Sequence, residues 1–205
     1  MRAKYRQWAV DYLGEHPEVV LEKIDFKDEF FTSKPIRFEI GSGKGDFIVE
    51  KAKQNPDVNF LAVEKVRTIA GMLAKKIVEE EIPNVKVFPN DFAIIANEIS
   101  EGFIDEIYLN FVDPWPKKRH AKRRLTFIIF LNQYYRILKK GGKLIFKSDN
   151  TGLYEFTCEE LQQTKFEVLV EEENYIFDEK NDAMTEYEKK FRTLGQHIHR
   201  IIVRK

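Results

Sequence analysis

The sequence lacks the features that mark secreted and membrane proteins. It has one cysteine, Cys158, in 205 residues, so an internal disulfide is impossible and a reducing compartment is expected. No apolar run approaches the ~20 residues that a membrane-spanning helix requires. Residues 1–6 lead into no apolar signal-peptide core. These absences predict a cytoplasmic protein in which Cys158 is a packing residue.

Net charge is also absent, because 34 Lys and Arg balance 34 Asp and Glu. Contact with a polyanion must therefore come from a local patch. Residues 117–124, here called the basic run, contain six Lys and Arg residues and directly follow Asp113-Pro114-Trp115-Pro116, here called the proline turn. The run is typical of a phosphate contact beside a reactive site, but also of a solvated surface helix or a nuclear-localisation signal.

The hydrophobic pattern alternates between strands and helices, which predicts a parallel, doubly wound α/β sheet. Strands are expected at residues 36–40, 59–63, 85–88, 104–111, 143–147, 166–170 and 198–203. Helices are expected at 47–54, 68–80 and 121–139, with a short one after residue 91. Gly141-Gly142 is expected to cap the helix over 121–139. A helical extension over 1–34 and one domain over 35–205 complete the prediction.

Two of the predicted helices have a predicted buried face. For residues 68–80 the face consists of Ile69, Met72, Leu73, Lys76 and Ile77. For residues 121–139 it consists of Leu125, Ile128, Leu131, Tyr135 and Leu138. The helical spacing of Tyr5, Trp8 and Tyr12 predicts a further short amphipathic helix. It is expected to be a lid or an RNA-facing arm, or simply to pack on the body of the protein.

An acidic residue stands at the end of each of the first five predicted strands. These residues are Glu39, Glu64, Asp91, Asp113 and Asp149. Ligands of parallel α/β sheets bind at the carboxyl ends of the strands. Five acids in such positions therefore predict a ligand site at that edge.

Gly41, Gly43 and Gly45 form a glycine turn (residues 41–45) between the first strand and the next helix. Glycine permits a sharp turn and the close approach of a ligand. The spacing is neither GxxxxGK[ST] nor GxGxxG, which weakens a dehydrogenase interpretation without excluding it. The turn alone is a weak signal for a cofactor site.

The acids near the glycine turn favour S-adenosylmethionine over a dinucleotide. Glu64 lies where an acid accepts hydrogen bonds from ribose hydroxyls. Asn90 and Asp91 are positioned to meet adenine, and Glu39 favours a cationic ligand. For Glu64, the alternative is a charge at the N-terminus of a helix.

Several motifs resemble the bacterial tRNA (guanine-N7-)-methyltransferases of the TrmB type. They lie in residues 38–45, 110–120, 122–125 and 185–188, and NFVDPWPKKRH is the most specific of them. Val112 departs from the proline that many members carry. The resemblance covers nearly the whole chain. It implies a Rossmann-like class I methyltransferase with a seven-stranded, mostly parallel sheet and helices on both faces, which methylates N7 of guanosine 46 in tRNA with S-adenosylmethionine.

The resemblance also implies roles for particular residues. Asp113 is the expected catalytic residue. The expected cofactor contacts are Glu39, Glu64, Asp91 and Asp113, beside Gly41, Gly43, Gly45 and Asn90. The expected substrate contacts are Lys117, Asp149, Thr185, Glu186, Tyr187 and Glu188. The expected RNA contacts are Arg119, His120, Lys122, Arg123 and Arg124. No metal is expected.

Other functions remain open. They are methyl transfer to another RNA or to a non-RNA acceptor, and RNA binding without catalysis. Residues 172–195 are expected to be a flap that holds substrate or a mobile surface loop. Trp115 is expected either to stack on a base or to pack internally. Related proteins occur as monomers and homodimers, and a homodimer is favoured slightly.

Overall fold

The computed structural model describes residues 4–205. Residues 1–3, which belong to the predicted extension and to the segment searched for a signal peptide, lie outside the described residues. The chain divides into two compact units, Met1–Ile99 and Ser100–Lys205. Among the described residues no helix has the length and apolar character needed to cross a membrane.

The first unit contains three parallel strands and five helices within its described residues. The strands are β1 (Ile36–Ile40), β2 (Asn59–Val63) and β3 (Val85–Phe88), with β2 between the other two. The helices are α1 (Gln7–Glu15), α2 (Glu29–Thr32), α3 (Asp46–Gln54), α4 (Arg67–Glu79) and α5 (Phe92–Ile95). Every residue of β2 is buried, as expected for the middle strand of a parallel set. The three predicted strands and the short helix after residue 91 are confirmed.

Helix α1 packs closely on α4. A Cβ added to Gly71 of α4 would lie 1.7 Å from the carbonyl oxygen of Ala9, so the helices meet almost backbone to backbone. The buried residues of α4 are Thr68, Ala70, Gly71, Leu73, Ala74 and Ile77. The predicted face was therefore wrong for Ile69, Met72 and Lys76, which are partly exposed. Small residues face a neighbouring helix here, and side-chain hydrophobicity alone does not reveal them.

Residues 16–25 lie in the predicted helical extension over 1–34, but they form no helix and instead extend the sheet locally. Val20 forms a parallel bridge with Val87 of β3. The Leu21 N–H donates to the Val87 carbonyl, and the Val87 N–H donates to the Val19 carbonyl. The segment before β1 is thus attached both by α1 and by these backbone bonds.

The second unit contains four strands, three α-helices and one 3-10 helix. The strands are β4 (Ile104–Asn110), β5 (Leu138–Ser148), β6 (Glu167–Glu172) and β7 (His199–Arg204). The α-helices are α6 (Ile128–Ile137), α7 (Thr151–Leu161) and α8 (Glu186–Thr193), and the 3-10 helix covers Lys118–Arg123. Strands β4 and β5 are parallel, whereas β7 is antiparallel to both β5 and β6. The α/β class with a seven-stranded mixed sheet is confirmed.

The predicted helix over residues 121–139 was wrong at both ends. The 3-10 helix ends at Arg123, α6 begins at Ile128, and β5 begins at Leu138. The backbone is extended at Arg124 and Phe127, with ψ of 132° and 146°, which interrupts the helix. Thr126 between them is buried, and its hydroxyl oxygen lies 2.9 Å from that of Thr157. Gly141 and Gly142 lie within β5 and do not cap a helix; the Gly141 N–H donates to the Lys205 carbonyl at 2.9 Å.

The buried face of this region also differs from the prediction. Leu131 and Leu138 are buried as predicted, whereas Leu125, Ile128 and Tyr135 are partly exposed. The other buried residues are Thr126, Tyr134 and Ile137. The face changes because the helical period begins only at Ile128.

Candidate functional site

The glycine turn in the first unit depends on positive φ angles. Gly41, Gly43 and Gly45 have φ of 82°, 56° and 85°, which only glycine adopts without strain. A Cβ on Gly45 would lie 2.0 Å from Leu73 Cδ1 of α4, so this glycine also permits the turn to pack. A Cβ on Gly43 would meet nothing within 4 Å. The backbone at Gly43 therefore faces open space, as ligand access requires.

Glu64 holds the glycine turn against the end of β2. Its Oε2 accepts the Gly43 N–H at 3.0 Å, and its Oε1 accepts the Val66 N–H at 2.8 Å. A carboxylate has about four lone-pair positions and can accept several hydrogen bonds at once. The two interpretations of Glu64 are thus compatible, because Val66 is the N-cap of α4.

The other predicted cofactor residues differ in burial. Glu39 is only 1% exposed, and its backbone carbonyl accepts the Ser42 hydroxyl at 2.8 Å. Asp91 is exposed and caps α5, since its Oδ1 accepts the Ala93 N–H at 3.0 Å. Asn90 is partly exposed and accepts the Asp91 N–H. The buried carboxylate of Glu39 beside the glycine turn, with a second carboxylate at Glu64, is chemically compatible with a cationic adenosine cofactor.

The proline turn in the second unit presents Asp113 to solvent. Its side chain is exposed and has no hydrogen bond or ion pair with any other residue in 4–205. The backbone around it is strained, since Phe111 has a φ of 52° and Trp115 a φ of 40°. Such conformations cost about 1–3 kcal/mol each and persist only where the surroundings hold them.

Basic side chains pack on the proline turn. Arg124 Nε donates to the Pro114 carbonyl at 3.0 Å, and its Nη2 donates to the Trp115 carbonyl at 3.1 Å. The Arg123 guanidinium lies 5.0 Å from the centre of the Trp115 ring, and His120 meets the ring edge-on at 5.7 Å. Trp115 is partly exposed and packs against these two side chains, and its stacking on a base stays a prediction.

The rest of the basic run is exposed and carries uncompensated charge. No residue of the 3-10 helix is buried. Within residues 4–205, the side chains of Lys117, Lys118, Arg119 and Lys122 form neither salt bridges nor hydrogen bonds. Six cations within eight residues repel one another unless a polyanion neutralises them, so this surface attracts phosphate groups.

Residues 172–195 contain α8 and are attached to β5 by buried charges. Lys147 and Glu188 are both 0% exposed, and Lys147 Nζ lies 2.8 Å from Glu188 Oε2. The same Nζ donates to Asp182 Oδ2 and to the Ala183 carbonyl, each at 3.0 Å. Arg192 donates from Nε and Nη2 to Glu188 Oε1, at 3.0 and 2.8 Å.

This buried network bears on the predicted substrate contacts. Glu188 has no exposed surface for a direct contact, whereas Tyr187 is 50% exposed. Thr185 caps α8 by accepting the Glu188 N–H at 2.9 Å, and Glu186 is partly exposed. Sequence reasoning missed Lys147, although a lysine among the apolar residues of a predicted inner strand is an unusual feature that signals a buried ion pair.

Asp149 lies partly exposed between β5 and α7 and has no hydrogen bond within residues 4–205. Nearby His199 is buried: its Nε2 lies 3.0 Å from Thr151 Oγ1, and its ring stacks on Tyr154 at 4.6 Å. Burial lowers the pKa of His199, which favours the neutral imidazole. Asp149 therefore remains available to a ligand, whereas His199 supports the start of α7.

Cys158 on α7 is not an activated thiol. Burial and the negative charge of Glu171 together raise its pKa to about 11. A thiolate is the reactive form of cysteine, so a raised pKa opposes nucleophilic chemistry. This agrees with the predicted packing role.

Known proteins were compared with the chain. A family model described as "Putative methyltransferase" matches residues 33–201. The tRNA (guanine-N(7)-)-methyltransferase of Exiguobacterium sp. is 40% identical over 98% of this chain and 96% of its own length. The enzyme of the same name from Lactobacillus johnsonii is 43% identical, over 97% and 96%. The chain belongs to the tRNA (guanine-N(7)-)-methyltransferase family.

The fold agrees with this family. A solved SAM-dependent O-methyltransferase from Thermotoga maritima aligns over 96% of this chain and 71% of its own, with a TM-score of 0.56 and 17% identity. At that identity the likeness shows the fold alone. The glycine turn and the proline turn both lie within the residues that the family model matches. The resemblance predicted from these motifs is confirmed.

Proposed function

We propose that the protein is a tRNA (guanine(46)-N7)-methyltransferase, which transfers the methyl group of S-adenosylmethionine to guanine N7 in the variable loop. The observation that most favours tRNA as the substrate is the exposed basic run directly after the proline turn. A methyltransferase for a protein or a small molecule has no need of six clustered cations. The proposal is further supported by family membership.

The cofactor is S-adenosylmethionine, which supplies an electrophilic methyl group on a sulfonium centre. Glu64 accepts the ribose hydroxyls, and Asn90 and Asp91 contact the adenine. The buried carboxylate of Glu39 favours the cationic end of the molecule. The open space above Gly43 permits close approach of the ligand.

Guanine N7 already has an in-plane lone pair, so no strong base is required. Most of the acceleration then comes from orientation of the base. Asp113 is exposed and free to accept the guanine N1–H and 2-amino hydrogens. Its negative charge also stabilises the positive charge that develops on the ring. Asp149, which also forms no hydrogen bond within residues 4–205, shares in orienting the base.

Phosphate contacts come from the basic run, and Lys117 and the exposed Tyr187 contribute to substrate binding. A target base within folded tRNA must first be exposed before transfer. The proposed location is the cytoplasm.

The proposed assembly is a homodimer. It is supported by Val168 and Leu169, which are 45% and 38% exposed on β6, the outermost strand at one end of the sheet. Apolar side chains on an outer strand favour association. Light scattering coupled to size-exclusion chromatography tests this, and a mass near 24.3 kDa at micromolar concentration would contradict it.

The function is tested by incubating unmodified tRNA transcript with labelled S-adenosylmethionine and analysing the nucleosides. The expected product is N7-methylguanosine, absent when the guanosine at position 46 is replaced by adenosine. Cofactor binding without a methylated nucleoside would move the search to another acceptor. Asp113→Ala is expected to abolish transfer while cofactor binding persists, and normal turnover would remove Asp113 from the mechanism.

A further inference from the structure

We propose that Arg124 is a positioning residue for the proline turn and not one of the phosphate contacts of the basic run. The proposal rests on the proposed function, because it assigns Arg124 to the turn that carries Asp113. Its charge is indistinguishable in sequence from that of its five cationic neighbours. Only its contacts separate it from them.

The first argument is the direction of its hydrogen bonds. Nε and Nη2 of Arg124 donate to the consecutive carbonyls of Pro114 and Trp115, at 3.0 and 3.1 Å. The planar guanidinium presents donors in a fixed fork, so two bonds fix the relative orientation of two neighbouring peptide groups. These two of the five N–H groups of the guanidinium therefore face the turn and are not available to a phosphate.

The second argument is how Arg124 is itself held. Its guanidinium lies 4.2 Å from the centre of the Phe156 ring on α7. Stacking on an aromatic face restricts the plane of the guanidinium. Arg124 thus connects the proline turn to α7, the helix that follows Asp149.

The third argument is that the turn needs external support. Proline has no N–H, so Pro114 and Pro116 cannot close the turn with backbone donors of their own. Trp115 has a φ of 40°, a conformation that persists only when the surrounding contacts hold it. Arg124 supplies donors to the two carbonyls beside this strained residue.

Neighbouring cations provide the contrast. Lys122 and Arg119 are exposed, and their side chains form no hydrogen bond or salt bridge within residues 4–205. Arg123 lies over the Trp115 ring, and no hydrogen bond of its guanidinium to another described residue is seen. Lys122 is therefore the matched control for a phosphate contact.

The experiment compares wild type, Arg124→Lys, Arg124→Ala and Lys122→Ala in kcat, tRNA KM and the salt dependence of tRNA binding. Arg124→Lys keeps the charge but loses the fork, so we expect kcat to fall about 10-fold or more with the slope of log K against log salt unchanged. Lys122→Ala is expected to weaken tRNA binding and to reduce that slope by about 0.9. For Arg124→Ala we expect partial recovery of kcat on addition of guanidinium ion.

Normal kcat in Arg124→Lys, together with a slope reduced by about 0.9 in Arg124→Ala, would make Arg124 a phosphate contact and overturn the proposal. A readout independent of activity separates this from failure of the proposed function. The sequence has two tryptophans, Trp8 and Trp115, so Trp8→Phe leaves Trp115 as the only tryptophan fluorophore. In that background Arg124→Lys is expected to increase quenching of Trp115 by acrylamide. Unchanged quenching would overturn the positioning role even if wild type acts on another acceptor.

Discussion

Replacing Lys147 by methionine tests the buried charges that attach α8 to β5. Lys147 has no exposed surface, and its ammonium donates hydrogen bonds to Glu188, Asp182 and the Ala183 carbonyl at 2.8–3.0 Å. Without it, Glu188 remains buried beside Arg192 alone, and the Ala183 carbonyl loses this donor. Removing one partner of a buried ion pair costs about 3–5 kcal/mol, because the buried charge of the other partner loses compensation.

The loss of unfolding free energy expected for Lys147→Met is large compared with the stability of the whole protein. Folding free energies are about 5–15 kcal/mol, so the variant would lose a substantial part of the total. For a chain of this size 1 kcal/mol corresponds to about 2–4 °C in Tm, which predicts a decrease of about 6–20 °C. The assay is urea and thermal unfolding, followed by circular dichroism. Lys143→Met is the matched control, because Lys143 is exposed on the same strand.

A double-mutant cycle separates the ion pair from simple loss of packing. Adding Glu188→Gln to Lys147→Met removes the carboxylate that Lys147 no longer neutralises, so the double variant should be less destabilised than the sum of the two single variants. Additive effects, or a loss of less than about 1 kcal/mol in Lys147→Met, would refute the reasoning. The buried charges would then contribute little to the attachment of α8.

Three further predictions follow from individual contacts. Gly71→Ala places a methyl group against the Ala9 carbonyl and should destabilise the protein by at least about 1–3 kcal/mol in urea unfolding, whereas Gly152→Ala, with no such clash, should not. The pKa of His199 is lower in the folded than in the unfolded state. Its contribution to the unfolding free energy is therefore complete above the unfolded pKa of about 6.5 and is lost as pH falls through the folded pKa. His199→Gln should flatten the dependence of unfolding free energy on pH in that range. Glu64→Gln should weaken S-adenosylmethionine binding about 10-fold or more in calorimetry, because an amide presents an N–H group where the carboxylate accepted one; unchanged affinity would remove Glu64 from the cofactor site.

The secondary structure was predicted correctly from the sequence wherever a segment has a single clear hydrophobic pattern. Strands β1, β2 and β3 were predicted with the observed bounds because each is a short apolar run between polar turns. The glycine turn and the acids at strand ends were likewise visible as residue types at fixed positions. These features depend on local chemistry, which the order of residues expresses directly.

Prediction failed where a distant partner decides the structure. The helix predicted over residues 121–139 is interrupted between Arg123 and Ile128, where buried Thr126 contacts Thr157 of α7, and no local pattern shows that contact. The buried face of α4 was predicted wrongly because Gly71, which has no side chain, allows α1 to pack closely against this helix. Glu188 was expected to meet substrate, yet its carboxylate is enclosed by Lys147 and Arg192.

Charge in this protein therefore acts in two physically different ways. Cations such as Lys147 and Arg124 donate to carboxylates or carbonyls of the protein, and these bonds fix the position of the segments that they join. Cations such as Lys122 face solvent and have no acidic partner within residues 4–205, so they attract a polyanion. Salt screens the second kind strongly and the first kind weakly. Ionic strength should accordingly weaken tRNA capture well before it disturbs the proline turn, so that affinity and turnover respond separately to salt.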